Sequence, residues 1–290
     1  MNIKKKKILF ILNVDYFFIS HRLPIAIEAI KKGYEVHLAS QTTNASVEIK
    51  KHNIKVHSIR INRSSIKFNE ILISLIDIFK IITKVKPDIV HLISIKPVLL
   101  GGLILHFIKK KTRIIVSISG LGFVFANKDF KTLIIKFLTT ILYKIVFKHK
   151  KMTCIVQNKD DFLFLKKLTS LPEKNYTLIP GSGVDLKKFC VSEMGDKQPI
   201  ILFPARLVIS KGIKNFLEAS IALKDIARFV IVGNFDKESR DAIDKNDLEF
   251  YISKNYIEYW GYSKNMHLVI PKSTIVVLPS FREGLPKVLC

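Results

Sequence analysis

The sequence predicts an α/β protein made of two doubly wound domains, each a parallel sheet with helices on both faces. Three observations carry that prediction. Apolar runs of strand length alternate with helix-length periodic segments from residue 8 to residue 179. The first of these runs, residues 8–12, is apolar at every position, the pattern of a strand buried on both sides. The alternation then breaks over the polar residues 192–198 and restarts at Ile200. The junction falls near residues 184–197, which gives domains of 1–184 and 185–290. A chain of 290 residues with 48% hydrophobic and 25% charged residues is long enough for two such cores.

Taken in order, a basic tail, Lys4 to Lys7, enters the first strand at 8–12. Tail and strand resemble the first two regions of a signal peptide, but Asn13 and Asp15 break the apolar run and no small-residue cleavage site follows. Residues 13–20 read as a loop and 21–32 as a helix stopped by Gly33. Strand 35–39, a short helix at 45–51 and strand 55–59 come next. A long apolar helix, 68–85, is ended by Pro87. Strand 88–93, helix 97–108, strand 113–117, helix 130–147, strand 153–157, helix 159–168 and strand 176–179 complete the first domain. The second has strands at 200–203, 228–232, 257–260 and 274–278. No run reaches the roughly 18 apolar residues that a membrane-spanning helix needs. The second domain reads as incomplete, because the pattern stops at Cys290 in what looks like the first turn of a helix, 284–289. A helix that short does not hold itself in water, so the 290-residue chain reads as a piece with weak or no turnover of its own.

The net charge of +24 is unevenly spread. Residues 1–185 hold 32 Lys and Arg against 12 Asp and Glu, and residues 186–290 hold 16 against 12. A strongly cationic half implies an anionic partner: membrane headgroups, a phosphorylated substrate or nucleic acid. Interleaved aromatics, zinc spacing and a helix-turn-helix pattern are all missing, so a basic nucleic-acid-binding protein is kept only as an alternative. Helix 130–147 carries an apolar stripe, including Leu133, Phe137, Leu138 and Ile141, that reads as core. The lysines around it, among them Lys136, Lys144 and Lys148, read as a dock for an anionic membrane surface. Cys154, Cys190 and Cys290 show neither metal nor disulfide spacing and fit a reducing compartment.

Two stretches carry chemistry. In 199–212 a strand ends in a turn bearing Arg206 and Lys211, and Gly212 opens a helix with Ile213, Phe216 and Leu217 on one face. Two cations and a helix N-terminus then meet at the carboxyl end of a strand, where open α/β sheets bind ligands and where a pyrophosphate is cheaply held. In 279–286 the last strand runs into a loop with Glu283 beside Gly284. A carboxylate there can accept hydrogen bonds from two adjacent sugar hydroxyls, and glycine lets a ligand approach the backbone.

These residues together resemble a known family. Ala205-Arg206-Leu207 with Lys211-Gly212, then Gly233, then Ser280-x-x-Glu283-Gly284-Leu285-Pro286, is similar to the donor domain of family-4 glycosyltransferases of the GT-B fold. Ile19-Ser20-His21-Arg22-Leu23-Pro24, Gly120-Leu121-Gly122 and Ile179-Pro180-Gly181-Ser182-Gly183-Val184-Asp185 resemble the bacterial surface-polysaccharide members, those of O-antigen and capsule synthesis. The resemblance implies two Rossmann-like domains facing across a cleft, the second for a nucleotide-sugar donor, usually a UDP-sugar, and the first for an acceptor. It implies a retaining hexosyltransferase acting on a lipid-linked, polyprenyl-diphosphate glycan. It further implies chemistry with no metal or other cofactor, and the lysine-rich surface and unpaired cysteines point to a cytoplasmic enzyme, peripheral at the inner face of the plasma membrane.

Carried over by position, Arg206 and Lys211 grip the diphosphate, Glu283 holds the donor sugar, and Gly233, Gly284, Leu285 and Pro286 complete the donor side. Gly183 and Asp185 line the cleft, with His21, Arg22, Gly120 and Gly122 on the acceptor side. Two departures stand out. The family's second glutamate would fall at position 291. The histidine that many relatives carry after the fifth strand is replaced here by Ser117-Ile118-Ser119-Gly120, which leaves His21 as the nearest candidate. A GT-B nucleotide-sugar epimerase is the alternative within the same fold.

Overall fold

The computed structural model describes residues 5–62, 65–108, 111–118, 130–190, 198–236, 239, 241–281, 283 and 285–290. The chain divides into two compact units, Met1–Ser182 and Gly183–Cys290.

The larger unit is built on a seven-stranded, all-parallel sheet of order β3-β2-β1-β4-β5-β6-β7. Its strands are β1 (Lys7–Val14), β2 (Glu35–Gln41), β3 (Lys55–Ser58), β4 (Ile89–Ile93), β5 (Arg113–Ile118), β6 (Met152–Val156) and β7 (Tyr176–Leu178). The helices are α1 (Asp15–His21), α2 (Leu23–Lys31), α3 (Ala45–Lys51), α4 (Phe68–Val85), α5 (Ile95–Ile108), α6 (Phe130–Val146) and α7 (Lys159–Leu168). Alternation along β1 explains its uninterrupted apolar sequence. Phe10 and Leu12 enter one core with Phe18, Ala26 and Ile49, while Leu9 and Ile11 enter the other with Ile78, Ile82 and Val98. The order of strands reverses between β1 and β4, so the loops leaving their carboxyl ends diverge there.

The segment expected to be a loop, 13–20, is the end of β1 followed by helix α1. Polar residues that look loop-forming in sequence have tertiary partners. Asp15 is buried and accepts hydrogen bonds from the Thr43 amide at 2.6 Å and the Thr43 hydroxyl at 2.7 Å. Three residues on, Phe18 packs edge-on against Phe10, centroids 5.4 Å apart. The single helix expected at 21–32 is α2, which starts only after Arg22 and has proline in its first turn.

Much of the stripe on α6 is also not core, although its Leu142 packs against the larger core. Leu133, Phe137, Leu138 and Ile141 are exposed, and α6 instead buries Tyr143, Val146 and Thr139. The reason lies in its neighbour α5, which buries residues nearly all round and approaches α6 through Gly102. A β-carbon at Gly102 would stand 2.3 Å from Val146 Cγ1. That close seam fixes which side of α6 turns inward and leaves much of the stripe outside.

The smaller unit has a four-stranded parallel sheet of order β10-β9-β8-β11, with β8 (Ile200–Phe203), β9 (Arg228–Ile231), β10 (Glu258–Tyr259) and β11 (Ile275–Val276). Helices α8 (Ile213–Ala222), α9 (Lys245–Ser253) and α10 (Met266–Val269) accompany it. Phe203, Phe216 and Phe229 form its centre, with successive ring centroids 5.2 Å apart. The sequence gives little sign of α9, which buries Leu248 and is started by Asp244 accepting from the Asn246 amide at 2.9 Å. The expected helical turn at 284–289 is a single 3-10 turn, Lys287–Leu289. The predicted class, α/β with parallel sheets in both parts, is the one observed.

Candidate functional site

In the smaller sheet the strand order reverses between β8 and β11. The loop after β8 is braced from below by the loop after β9. The Leu207 amide donates to Asn234 O at 3.0 Å, Ile209 to Asp241 O at 2.7 Å, and the Ser210 amide to the Asp241 carboxylate at 3.1 Å. Burial works to raise the pKa of Asp241, but hydrogen bonds from Ser210 and Ser239 outweigh it and hold it below the ordinary carboxylate value. Leu207 and Val208 plug the turn into the core, which leaves Arg206 and Lys211 outside.

Two glycines let the loops meet backbone to backbone. Gly212 has φ +77, and a β-carbon on it would lie 2.0 Å from Pro279 O. A β-carbon on Gly233 would lie 1.8 Å from Ala205 O. The Gly233 amide donates to Gly261 O at 2.9 Å, and its carbonyl accepts from the Tyr259 hydroxyl at 2.8 Å. The loop after β11 is drawn onto the loop after β8 by Phe281 N donating to Ser210 O at 3.1 Å.

This scaffold brings Lys211 and Glu283 together as an ion pair, Nζ to Oε1, at 23% and 24% side-chain exposure. Arg206, on the same loop and 44% exposed, pairs instead with Asp236 through Nη1. The two cations thus share one loop and have different acidic partners, of which the sequence singles out Glu283 but not Asp236. Gly212 also precedes α8 without any side-chain cap, so among the described residues no side-chain oxygen caps the first-turn amides of that helix. Ser280 Oγ, in the loop after β11, is buried with no hydrogen-bond partner among the described residues. Two held cations, an uncapped helix N-terminus and a carboxylate at one edge can bind an anion and a polyol side by side.

Of the remaining candidates on this side, Leu285 is exposed and Pro286 leads the terminal 3-10 turn, while Gly284 lies outside the described residues. Gly183 has φ +67, and the Asp185 carboxylate accepts from the Lys187 amide at 3.0 Å.

In the larger unit, His21 ends α1, stacks on Phe17 with centroids 4.0 Å apart, and meets Ser20 Oγ at 2.6 Å. Arg22, between α1 and α2, is buried. Gly120 and Gly122 lie outside the described residues. Sequence reasoning missed His91 because it stands inside a strand. It is buried, meets Ser117 Oγ through Nε2 at 2.7 Å, and is pushed down to about 3 by burial and then by the charge of Arg22. Among the described residues no three His, Cys, Asp or Glu are grouped to hold a metal ion, and no helix is long and apolar enough to cross a membrane.

Comparison with known proteins adds the following. The family model "Glycosyl transferase 4-like" matches residues 7–159, and "Glycosyl transferases group 1" matches residues 187–290. The chain is 29% identical over 279 residues to the N,N'-diacetylbacillosaminyl-diphospho-undecaprenol alpha-1,3-N-acetylgalactosaminyltransferase of Campylobacter jejuni, covering 91% of this chain and 72% of that one. It is 27% identical over 231 residues to the UDP-Gal:alpha-D-GlcNAc-diphosphoundecaprenol alpha-1,3-galactosyltransferase of Escherichia coli, covering 73% of this chain and 57% of the relative. The crystal structure of Anabaena HepE in complex with UDP-glucose superposes with a TM-score of 0.67 at 12% identity, covering 96% of this chain and 75% of that one. This last likeness is one of fold alone.

Proposed function

Because the chain belongs to the glycosyl transferase 4-like family and has a GT-B-type pair of parallel-sheet units, we propose that it transfers a hexose, with retention, from a UDP-sugar to a glycan carried on a polyprenyl diphosphate in surface-polysaccharide synthesis. The observation that supports this most is the Lys211–Glu283 pair at the β8/β11 reversal. A diphosphate arriving there takes Lys211 as its partner and, with Arg206 and the amides opening α8, has its charge neutralised as the nucleotide leaves. Glu283, released from Lys211, turns to the hydroxyls of the sugar being moved. The backbone around Gly233 and Leu285-Pro286 lies against the same donor. Both curated relatives have names that place a diphospho-undecaprenol glycan among their substrates. That fits an acceptor of this class on the larger unit, at Arg22 and His21.

The cationic half supports work at an anionic membrane surface, at the inner face of the plasma membrane. Leu133, Phe137, Leu138 and Ile141 stand out from α6 among lysines, a combination suited to headgroup attraction and shallow apolar insertion. The test is transfer of radiolabelled sugar from UDP-glucose, UDP-galactose and their N-acetylated forms to an undecaprenyl-diphosphate-linked acceptor. A lipid-extractable product with one of them is expected. A folded protein that binds none of these donors, or that returns an epimerised donor instead, overturns this reading.

A further inference from the structure

Arg22 is 6% exposed, yet nothing acidic among the described residues meets it. Its Nη1 donates to the His21 carbonyl at 3.1 Å, and its buried Nε has no partner among the described residues. Burial alone acts on its titration, lowering it, with no acid pulling the other way. A guanidinium presents five donors and is always charged. Folding one into the interior without an anion leaves charge and donors uncompensated, which a fold tolerates poorly.

Further polar groups lie around it. Arg22 acts electrostatically on His91, in the middle of β4, and His91 meets Ser117, the last residue but one of β5. Ser117 O accepts from the Ser94 amide at 3.0 Å. Ser94, which follows β4, adopts φ +71, a strained left-handed conformation for a non-glycine residue. Asn13, at the end of β1, donates to its hydroxyl at 2.9 Å, and the other end of the Asn13 amide is buried with no partner among the described residues. The amide can be turned over without losing Ser94, which would point its NH2 into the unpaired position. Asn13 and Ser94 lie at the carboxyl ends of β1 and β4, where the strand order reverses, the place in an open sheet where ligands bind.

We propose that Arg22 is a phosphate-binding residue, and that it seats the diphosphate joining the acceptor glycan to its lipid carrier at the β1/β4 reversal. The inference rests on the transferase reading above and deepens it. The donor's diphosphate has its own cations, Arg206 and Lys211, in the other unit. The planar fork of Arg22 suits paired phosphate oxygens, and an anion there also relieves the electrostatic penalty on His91.

The experiment is a calorimetric titration of the 290-residue chain with farnesyl diphosphate as a soluble probe, in a Lys211→Ala background that weakens the donor site. Binding is expected, weakened at least about tenfold by Arg22→Met and less by Arg22→Lys, which keeps a charge without the fork. UDP should not displace the probe, and the His91 ring protons should titrate at higher pH with probe bound. Unchanged affinity in both Arg22 variants, displacement by UDP, or no binding at millimolar probe overturns the proposal. If Arg22→Met does not fold, the Arg22→Lys titration decides by the same criterion. UDP binding to the parent chain, and its loss in Lys211→Ala, is measured alongside. The donor reading can therefore stand while this one falls.

Discussion

Lys211 and Glu283, 72 residues apart in the chain, form an ion pair across the point where the strand order of the smaller sheet reverses. Each partner of this pair is partly exposed, so the pair itself adds little to stability. In the donor-binding reading proposed above, a diphosphate takes Lys211 from the pair and frees Glu283 for the sugar.

Two substitutions separate these roles. Lys211→Met should weaken UDP binding by about ten- to a hundredfold, since a charge-assisted contact to phosphate is lost. Glu283→Gln removes the competitor for Lys211, so UDP affinity should hold or rise. The same variant should lose whatever extra affinity a UDP-hexose has over UDP. Calorimetry with the two ligands checks this, and an equal loss of UDP binding in both variants would contradict it.

Gly212→Ala and Gly233→Ala should each cost about 3 kcal/mol or more, because the added carbon meets a backbone carbonyl that cannot rotate away. Gly33→Ala is the control. That residue also has positive φ, +86, but open space around it, so the cost should be about 1 kcal/mol. Thermal melting of the three variants ranks them. A Gly233→Ala protein that melts with the parent would show that the loops can part.

Stability should fall on acidification through the buried histidine. His91 titrates near 6.5 when unfolded and at about 3 when folded, first because of burial and then because of Arg22. A lowered folded value means that the unfolded chain takes up the proton first. The contribution is therefore whole above about pH 6.5 and lost as the pH falls toward about 3, at on the order of 1 kcal/mol per pH unit. Burial lowers His37 and His57 as well, so they act in the same direction. Urea unfolding at about pH 7 and about pH 5 should show a smaller difference in His91→Gln than in the parent.

Phe137→Glu and Leu138→Glu should abolish sedimentation with anionic vesicles while leaving the melting temperature within a degree or two of the parent. Both side chains are more than half exposed, at 66% and 54%, and removing them opens no cavity. Retained vesicle binding would move the docking surface away from α6.

The class of fold and the order of most elements could be read from sequence because they rest on local chemistry. An unbroken apolar run such as that of β1 has to be covered on both faces, and Pro87 and Gly33 stop their helices wherever they sit. The loop carrying Arg206 and Lys211, and the one carrying Glu283, were legible for the same reason, as polar turns at the ends of apolar strands. What the side chains do there was not. Asp236 is 30 residues from Arg206 and Glu283 is 72 from Lys211, and only the strand order sets those partners side by side. The same holds for Asp15, which looks like a loop residue until Thr43 caps it, and for much of the α6 stripe, which looks like core until Gly102 of α5 turns it outward. The sequence by itself determined where the chain must be buried. Tertiary structure alone decided which charges meet, because an ion pair depends on distance in space, and sequence separation carries no record of it.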